Sequence, residues 1–196
     1  MTGFTTHTGK IAVVPQDHVD TDRIIPARYL SRVSRSGYGE LLFSDVRGPE
    51  FPLDQSEAAG ASILVVGTNF GCGSSREHAV WAIQQGGYRA VVARRTPTSP
   101  GYSDIFRQNA ANCGLLLVEL DDEAHAALTA AGSGTEATID LPGQTVMVAG
   151  QTYPFDINAV TKQALVEGLD LIGTTLRLDA QISGYEKNHD AFAPAR

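Results

Sequence analysis

The chain reads ASILVVGTNFGCGSSREHAVWAIQQGGYRAVVAR from Ala61 to Arg94. Apolar runs begin and end this stretch, and a glycine-rich turn and a segment with helical spacing lie between them. The same alternation continues to Leu120, so the pattern predicts βαβ units around a parallel sheet. The predicted elements are a strand at 61–67, a helix at 75–85, a strand at 89–94, a helix at 103–113 and a strand at 115–120.

The apolar runs at 63–66 and 115–118 lack a polar alternate face, which is typical of strands that helices cover on both sides. Weaker patterns surround this central region. Before it they predict a strand at 10–15, a short helix at 27–30 and a mobile loop at 31–39. After it they predict a helix at 121–131, a hairpin at 136–157 that turns at 142–144, and a late helix at 158–176. Gly168 and Gly173 are candidate break points of the late helix.

The chain has 196 residues, of which 42% are hydrophobic and 19% are charged. This length suits one compact domain at 1–196, with a C-terminal helical extension at about 158–196. The formal net charge of -7 argues against nucleic acid as a partner, because nucleic-acid affinity depends on clustered Lys and Arg. A few converging arginines can still bind a small anion within an acidic protein.

Cysteine usage and hydropathy bear on the cellular compartment. The two cysteines, Cys72 and Cys113, lie far apart, so their spacing indicates neither a disulfide framework nor a Cys-x-x-Cys metal site. The first ten residues lack the basic and apolar regions of a signal peptide, and no apolar run reaches the ~18 residues of a membrane span. We therefore expect a soluble, cytoplasmic protein that uses no membrane and holds no metal in this chain.

The turn NFGCGSSREH at 69–78 carries the candidate chemistry. Gly71 and Gly73 permit a sharp turn, and the helix start after them offers unpaired N–H groups and a positive dipole end, which predicts an anion site. Ser74 and Glu77 also fit a capping box, in which the serine caps the helix. From the residues alone, capping is the favoured role of Ser74, and an alkoxide base beside Arg76 is the alternative.

Several other polar residues have both a functional and a structural interpretation. Cys72 and His78 fit an activated thiol pair, although packing is favoured for Cys72. Asp20 and Asp22 are two positions apart, which suits either a metal or histidine-orienting role or, more commonly, turn and cap duties. Solvated surface positions are predicted for the remaining histidines: His7, His18, His125 and His189.

Three arginines, Arg28, Arg32 and Arg35, follow the aspartate loop. They fit either a solvated basic stretch or a carboxylate clamp, because planar guanidinium groups bind carboxylates bidentately. A mobile loop that carries them could close on a diacid.

A series of motifs runs nearly the whole length of the chain: VDTDRIIP at 19–26, RSGYG at 35–39, NFGCGSSREH at 69–78, DIF at 104–106 and ISGYE at 182–186. In this order they resemble the small subunits of bacterial 3-isopropylmalate dehydratases, in the aconitase superfamily. The resemblance implies an α/β fold, namely a single swivelling domain of the aconitase type. Its core would be a mixed, largely parallel sheet or a barrel-like arrangement flanked by helices.

The same resemblance implies a partner and a reaction. The domain would close over an active site built mainly by a large subunit that carries a 4Fe-4S cluster, in a heterodimer or larger assembly, so no cofactor is expected on this chain. The reaction would interconvert 2-isopropylmalate and 3-isopropylmalate by dehydration and rehydration in leucine biosynthesis, with a cluster iron acting on the departing hydroxyl. The alternatives are a subunit for another small diacid (citraconate, dimethylmalate or homoaconitate) and a non-catalytic anion-binding protein of the same fold.

The family's motif positions also imply residue roles. Ser74 matches the serine that serves as the base, and Ser75 and Arg76 match positions that hold a substrate carboxylate. Asp22 matches an aspartate near the active site, and we infer that it positions a catalytic group from the partner. The remaining supporting positions are Thr21, Gly71 and Gly73.

The loop at 31–39 departs from the family at one point. Many relatives have arginine directly after a Tyr-Leu pair, whereas here Ser31 follows that pair and Arg32 comes next. Arg35, in the RSGYG stretch, is therefore the first candidate for the second substrate carboxylate, and Arg32 is the second candidate. Leu30 and Val33 are candidate contacts for the isopropyl group.

Overall fold

The computed structural model describes residues 2–32 and 34–188. Two residues with predictions, Val33 and His189, lie outside the described residues, and so does the end of the extension predicted at 158–196. Within the described ranges, no helix is both long enough and apolar enough to cross a lipid bilayer.

Seven described strands form one mixed sheet in the order β4-β3-β2-β1-β5-β6-β7. Strands β1 to β4 pair in parallel, and β5 to β7 extend the sheet from β1 in antiparallel fashion. The predicted α/β class with a mixed, largely parallel sheet is confirmed. The strands are β1 Thr6–Val14, β2 Ile63–Val66, β3 Ala90–Arg94, β4 Leu116–Leu120, β5 Glu136–Asp140, β6 Thr145–Val148 and β7 Gln151–Pro154.

Strand β1 belongs to both parts of the sheet. Its residues 6–10 pair with β5 in antiparallel fashion, and its residues 11–14 pair with β2 in parallel. The strand predicted at 10–15 therefore covers only the second half. The first half carries polar residues with partly exposed side chains, so it lacks the apolar run on which the prediction depended.

Helices cover both faces of the parallel strands. Alternate residues of β2 belong to two separate cores: Leu64 packs in the core that includes Phe106 of the helix α3, and Ile63 packs in the core that includes Leu128 of the helix α4. This burial on both faces confirms the prediction for the run 63–66. The run 115–118 belongs mostly to the edge strand β4, whose Leu117 is only partly buried, so the same prediction holds there only in part. The described helices are α1 Thr21–Ile24, α2 Glu77–Gln85, α3 Asp104–Cys113, α4 Asp122–Ala131, α5 Ala159–Glu167, α6 Leu171–Leu176 and α7 Asp179–Lys187, with 3-10 turns at Ala27–Tyr29, Gly39–Leu41, Pro52–Asp54 and Ser56–Ala58.

The region predicted as a hairpin at 136–157 contains three strands, so this prediction was incomplete. The predicted turn at 142–144 joins β5 to β6, and a second turn at Ala149 and Gly150 joins β6 to β7. Both residues of the second turn have left-handed φ angles, 48° and 79°, as the common two-residue hairpins require. Alanine gives no sequence signal for that conformation, which is why the prediction missed the turn.

The late helix predicted at 158–176 is divided. Asn158 caps α5 by accepting backbone N–H bonds with its side chain, and α5 ends at Gly168, whose φ is 68°. Asp170 then caps α6, and Gly173 lies inside that helix. Gly168 is therefore a break point and Gly173 is not, because only Gly168 adopts the left-handed conformation that ends a helix.

The prediction that His125 occupies a solvated position is wrong. Its side chain is 5% exposed, and its Nε2 donates to the carbonyl oxygen of Val66 at 2.7 Å. His125 shares the buried face of α4 with Ala124 and Leu128, an arrangement that the isolated histidine did not suggest. Burial lowers the pKa of His125 below its usual value.

We expect the free energy of unfolding to decrease as the pH falls below about 6.5, the ordinary pKa of histidine. Folding keeps His125 neutral because burial lowers its pKa, whereas the unfolded chain takes up a proton at the ordinary pKa. Between the two pKa values the unfolded chain binds more protons, so acidification destabilises the fold by up to about 1.4 kcal/mol per pH unit through this residue.

Urea denaturation of the wild type and of His125→Gln, over a series of pH values, measures this effect. Glutamine can still donate to the Val66 carbonyl but does not titrate, so the variant should lose less stability on acidification. Parallel stability profiles for the two proteins would show that His125 does not contribute.

Candidate active site

The turn between β2 and α2 lies at the carboxyl end of the parallel strands. Every second residue in it has a left-handed φ: Asn69 at 54°, Gly71 at 73°, Gly73 at 75° and Ser75 at 47°. The N–H groups of the first three residues are used within the protein: Asn69, Phe70 and Gly71 donate to the carbonyls of Pro100, Gly101 and Val19. Within the described part of the chain, no hydrogen bond uses the N–H groups of Gly73, Ser74 or Ser75. Gly73 and Ser74 are exposed, so their donors are open to a ligand.

Two distant sequence motifs meet at this turn. The backbone N–H of Gly71 donates to the carbonyl of Val19 at 2.8 Å, and the N–H of Thr21 donates to the carbonyl of Cys72 at 3.2 Å. These bonds hold the aspartate loop and α1 directly against the serine turn. Thr21 is fully buried there, whereas Ser74 is exposed.

The favoured interpretation of Ser74 as a helix cap is wrong. Helix α2 begins at Glu77 and its N-cap residue is Arg76, two positions after Ser74. The left-handed φ of Ser75 prevents the helix from starting earlier. The Ser74 Oγ instead lies 3.2 Å from the Oγ1 of Thr21, so its hydroxyl has a hydroxyl partner and faces solvent.

Ser75 has a structural role inside the turn. Its hydroxyl donates to the Gly71 carbonyl at 2.8 Å and lies 2.6 Å from the Oγ of Ser103, the residue before α3. Its own carbonyl accepts a bond from the Asn109 side chain at 2.8 Å. The residue as a whole is 2% exposed and its hydroxyl is already bonded, so Ser75 stabilises the shape of the turn.

Ser103 and Asn109 were missed by the sequence prediction as parts of the site. Both belong to the segment of α3, and Ser103 also donates to the Gly71 carbonyl at 2.8 Å. Ser103 could have been identified from its place in the predicted order of elements. It precedes the helix that follows β3, and parallel sheets bind ligands at the carboxyl ends of their strands. Nothing in the local sequence indicated Asn109.

Arg76 contributes a positive charge beside the free N–H groups. Its Nη2 pairs with the Oδ1 of Asp22 at 2.5 Å, and its side chain is 17% exposed. The buried Nε of Arg76 has no hydrogen-bond partner among the described residues. The nine-residue helix α2 adds a positive dipole end at the same place, so the turn favours an anion.

The two aspartates of the loop have different partners. Asp20 is the N-cap of α1 and accepts from the Arg23 backbone N–H at 2.7 Å, which agrees with the cap interpretation. Asp22 pairs with Arg76. In the ranges that the structure describes, no group of three or more His, Cys, Asp or Glu side chains is placed to hold a metal ion.

The surroundings of Cys72 disfavour an activated thiol. Its Sγ points to the carbonyl of His18 at 3.5 Å, and burial together with the charge of Asp20 raises the pKa of the thiol. The His78 ring packs against Trp81, with ring centroids 4.7 Å apart. A raised pKa keeps the thiol protonated, so these contacts agree with a packing role for Cys72.

The three arginines of the following loop lie apart from one another. Arg28 forms a bidentate pair with Asp45 on the surface. The Nη1 of Arg32 donates to the Gly37 carbonyl at 3.0 Å, and the guanidinium of Arg35 stacks over Trp81 of α2. The structure thus joins the serine turn to Thr21 and Asp22 and places Arg32 and Arg35 on a separate loop, where Leu30 is half-buried.

The fold and the turn together define a class: a mixed α/β domain that presents a serine and free backbone donors at the start of a helix. The family model described as the aconitase C-terminal domain matches residues 1–123. The 3-isopropylmalate dehydratase small subunit from Parafrankia sp. (strain EAN1pec) is 46% identical to this chain, over 99% of this chain and 98% of its own length. The small subunit from Bacillus cytotoxicus is 39% identical, over 95% of this chain and 97% of its own length.

A crystal structure of 3-isopropylmalate dehydratase from Methanocaldococcus jannaschii has the same fold. Its TM-score is 0.68 at 27% identity, and the match covers 92% of this chain and 99% of that chain. The chain belongs to the family of 3-isopropylmalate dehydratase small subunits, within the aconitase C-terminal domain family.

Proposed function

We propose that the chain is the small subunit of a hydro-lyase that interconverts 2-isopropylmalate and 3-isopropylmalate in leucine biosynthesis. The observation that carries this proposal is the similarity, over nearly the full length of both chains, to relatives with that name. The anion-receptive turn at Ser74 supports it independently, because both substrates are dicarboxylates.

The name of those relatives implies a larger partner subunit. We propose that this partner carries the 4Fe-4S cluster, in a heterodimer or larger assembly. The chain has two cysteines, which is fewer than such a cluster needs, and they lie on separate elements, in the turn and at the end of α3.

In this proposal Ser74 is the base. Its alkoxide oxygen takes the proton from the carbon next to the hydroxyl-bearing carbon, and the electron pair of that C–H bond becomes the double bond. The departing hydroxide would be accepted at the cluster of the partner. In rehydration, hydroxide adds to the carbon that lost the proton, and Ser74 returns the proton to the carbon that had carried the hydroxyl. The alkoxide form needs stabilisation, which the free N–H groups, the start of α2 and the Thr21 hydroxyl at 3.2 Å can supply. Solvent exposure leaves Ser74 accessible to a substrate presented by the partner.

The first substrate carboxylate is assigned to the backbone N–H groups of the turn and to Arg76. Asp22, paired with Arg76, would orient the guanidinium in the absence of substrate. Gly71, Gly73 and Thr21 support the turn geometry. The second carboxylate is assigned to Arg35, with Arg32 as the second choice, and the isopropyl group to Leu30.

We also propose that residues 1–196 act as one swivelling domain, with a helical extension at about 158–196, in the cytoplasm. The family match ends at residue 123, and the antiparallel strands β5 to β7 continue the same sheet beyond it. This continuity supports one domain.

Reconstitution tests the proposed function. Mixing the purified chain with the large subunit from the same organism should restore turnover of isopropylmalate, and neither subunit alone should be active. A panel of citraconate, dimethylmalate and homoaconitate tests the choice of substrate. Preference for a diacid without the isopropyl group would contradict it, and a chain that binds carboxylates but activates no partner would indicate a non-catalytic anion-binding protein.

Replacement of Arg76 by lysine should lower kcat/KM of the reconstituted complex by roughly 10- to 100-fold. Lysine keeps the charge but loses the planar fork that binds a carboxylate bidentately. Arg47→Lys is the matched control, because Arg47 also pairs with an aspartate, Asp54, away from the turn. Equal kinetics for Arg76→Lys and Arg47→Lys would remove Arg76 from the substrate site.

A further inference from the structure

The loop that carries Arg35 is fastened to one face of α2. His78, Trp81 and Gln85 are spaced three and four residues apart and therefore share this face. The Oε1 of Gln85 accepts from the Tyr38 backbone N–H at 2.8 Å, and the Nε2 of Gln85 donates to the Arg35 carbonyl at 2.7 Å. A single side chain thus bonds the loop backbone at two points.

Aromatic contacts strengthen the attachment. Tyr38 is fully buried, and its ring centroid lies 5.6 Å from that of His78 and 5.6 Å from that of Trp81. The Arg35 guanidinium lies over the Trp81 ring, 4.9 Å from its centroid. The backbone of the loop is therefore bound to Gln85, and its charged side chain rests on Trp81.

The loop backbone also approaches the end of the helix very closely. A Cβ at Gly39 would lie 2.3 Å from the Gln85 carbonyl oxygen. Any residue other than glycine would therefore clash with this oxygen. The left-handed φ of Gly37, 80°, directs its carbonyl to the Arg32 side chain. These features hold residues 35–39 in one position relative to α2.

We propose that Gln85 and Trp81 are positioning residues, which hold Arg35 on the same helix that begins at the serine turn. At a rise of 1.5 Å per residue, Trp81 lies about 6 Å along the axis from Glu77, the first residue of α2. One rigid helix would then set the separation between the two groups that bind the two carboxylates. This proposal rests on the proposed function, because Arg35 is the group assigned to the second carboxylate.

Without substrate, the Arg35 side chain rests on the ring of Trp81, and a substrate carboxylate can draw it away from the ring. A cation–π contact at an exposed site is weaker than a bidentate bond between guanidinium and carboxylate. Arg35 is exposed, so it can turn from the ring to the ligand while the Gln85 bonds keep the loop backbone in place. The entropic cost of ordering the loop then arises when the chain folds and not when the substrate binds.

Kinetics of the reconstituted complex test the positioning role. Gln85→Ala should raise KM about tenfold and leave kcat within about twofold, because the loop loses its position and the chemistry at Ser74 is unchanged. Gln85→Glu keeps the acceptor for Tyr38 and loses the donor to Arg35, so its KM should lie between those of the wild type and Gln85→Ala.

The neighbouring glutamine is the matched control. The Nε2 of Gln84 donates to the Cys113 carbonyl at 2.9 Å and not to the loop, so Gln84→Ala should keep the wild-type KM. An unchanged KM in Gln85→Ala, or a fall in kcat without a rise in KM, would overturn the proposal. A rise in KM of the same size in Gln84→Ala would also overturn it.

Two measurements on the isolated chain do not require activity. Trypsin should cleave after Arg35 several-fold faster in Gln85→Ala than in the wild type or Gln84→Ala, with cleavage after Arg177 as the internal reference. Trp81 is the only tryptophan of the chain, so its fluorescence reports on the loop and should change in Gln85→Ala alone. If the wild-type complex does not turn over isopropylmalate, the proposed function fails, while equal cleavage in all three proteins would refute the attachment itself.

Discussion

Replacing Ser74 with alanine is expected to lower kcat of the reconstituted complex by roughly 10³-fold, within the range typical of the loss of a general base. The substitution removes one hydroxyl and leaves Arg76 and the backbone N–H groups of the turn in place. KM should therefore change little. Steady-state kinetics with 2-isopropylmalate and 3-isopropylmalate would measure both constants.

The same variant distinguishes catalysis from helix capping by its stability. A capping serine contributes about 1 kcal/mol, whereas Ser74 lies two residues before the N-cap of α2. The free energy of unfolding of Ser74→Ala should therefore stay within about 0.5 kcal/mol of the wild type. Ser56→Ala, at an exposed serine in a 3-10 turn, is the matched control. Normal turnover by Ser74→Ala would refute its role as the base.

Replacing Gly71 with alanine should destabilise the fold by about 3–5 kcal/mol, the sum of overpacking and backbone strain. A Cβ at this position would lie 2.3 Å from the Cγ of Phe106. The ring cannot move aside easily, because it is fully buried between Phe70 and Tyr102. The φ of Gly71, 73°, adds strain that any side chain would feel. Urea denaturation would measure the loss.

Gly73→Ala separates the two contributions. Gly73 has nearly the same φ, 75°, but its Cβ would meet only the Cβ of Asp20, at an ordinary 3.5 Å. It should therefore lose about 1 kcal/mol, from backbone strain alone. Equal losses in the two variants would show that the Phe106 contact is unimportant.

The central sheet could be predicted because its signal is local. The apolar run at 63–66 and the helical spacing after the turn lie within short windows of sequence, and the predicted ends of α3 and α4 agree with the structure within one residue. The first half of β1 could not be predicted in this way. Its polar residues become a strand by pairing with β5, which lies far away in the chain.

The candidate site was only partly predictable for a similar reason. Gly71 and Gly73 indicated a turn, but serine is an uncommon residue at a left-handed φ, so nothing suggested that Ser75 would adopt one. Its hydroxyl lies 2.6 Å from that of Ser103, the residue before α3, and its carbonyl accepts a bond from Asn109 of α3. This conformation also moves the start of α2 to Glu77, so Ser74 does not cap the helix. The residues alone predicted a cap at Ser74, whereas the family resemblance predicted a base.

The split pairing of β1 also matters during synthesis of the protein. The parallel partners of residues 11–14 are complete once β2 has been made, but Thr6 must wait for Asp140. At about 5–20 residues per second, the nascent chain exposes one unpaired edge of residues 6–10 for several seconds. Such an edge can pair with the same segment of a neighbouring nascent chain on a polysome, and the exposed Lys10 at its end is the kind of charged residue that discourages this pairing.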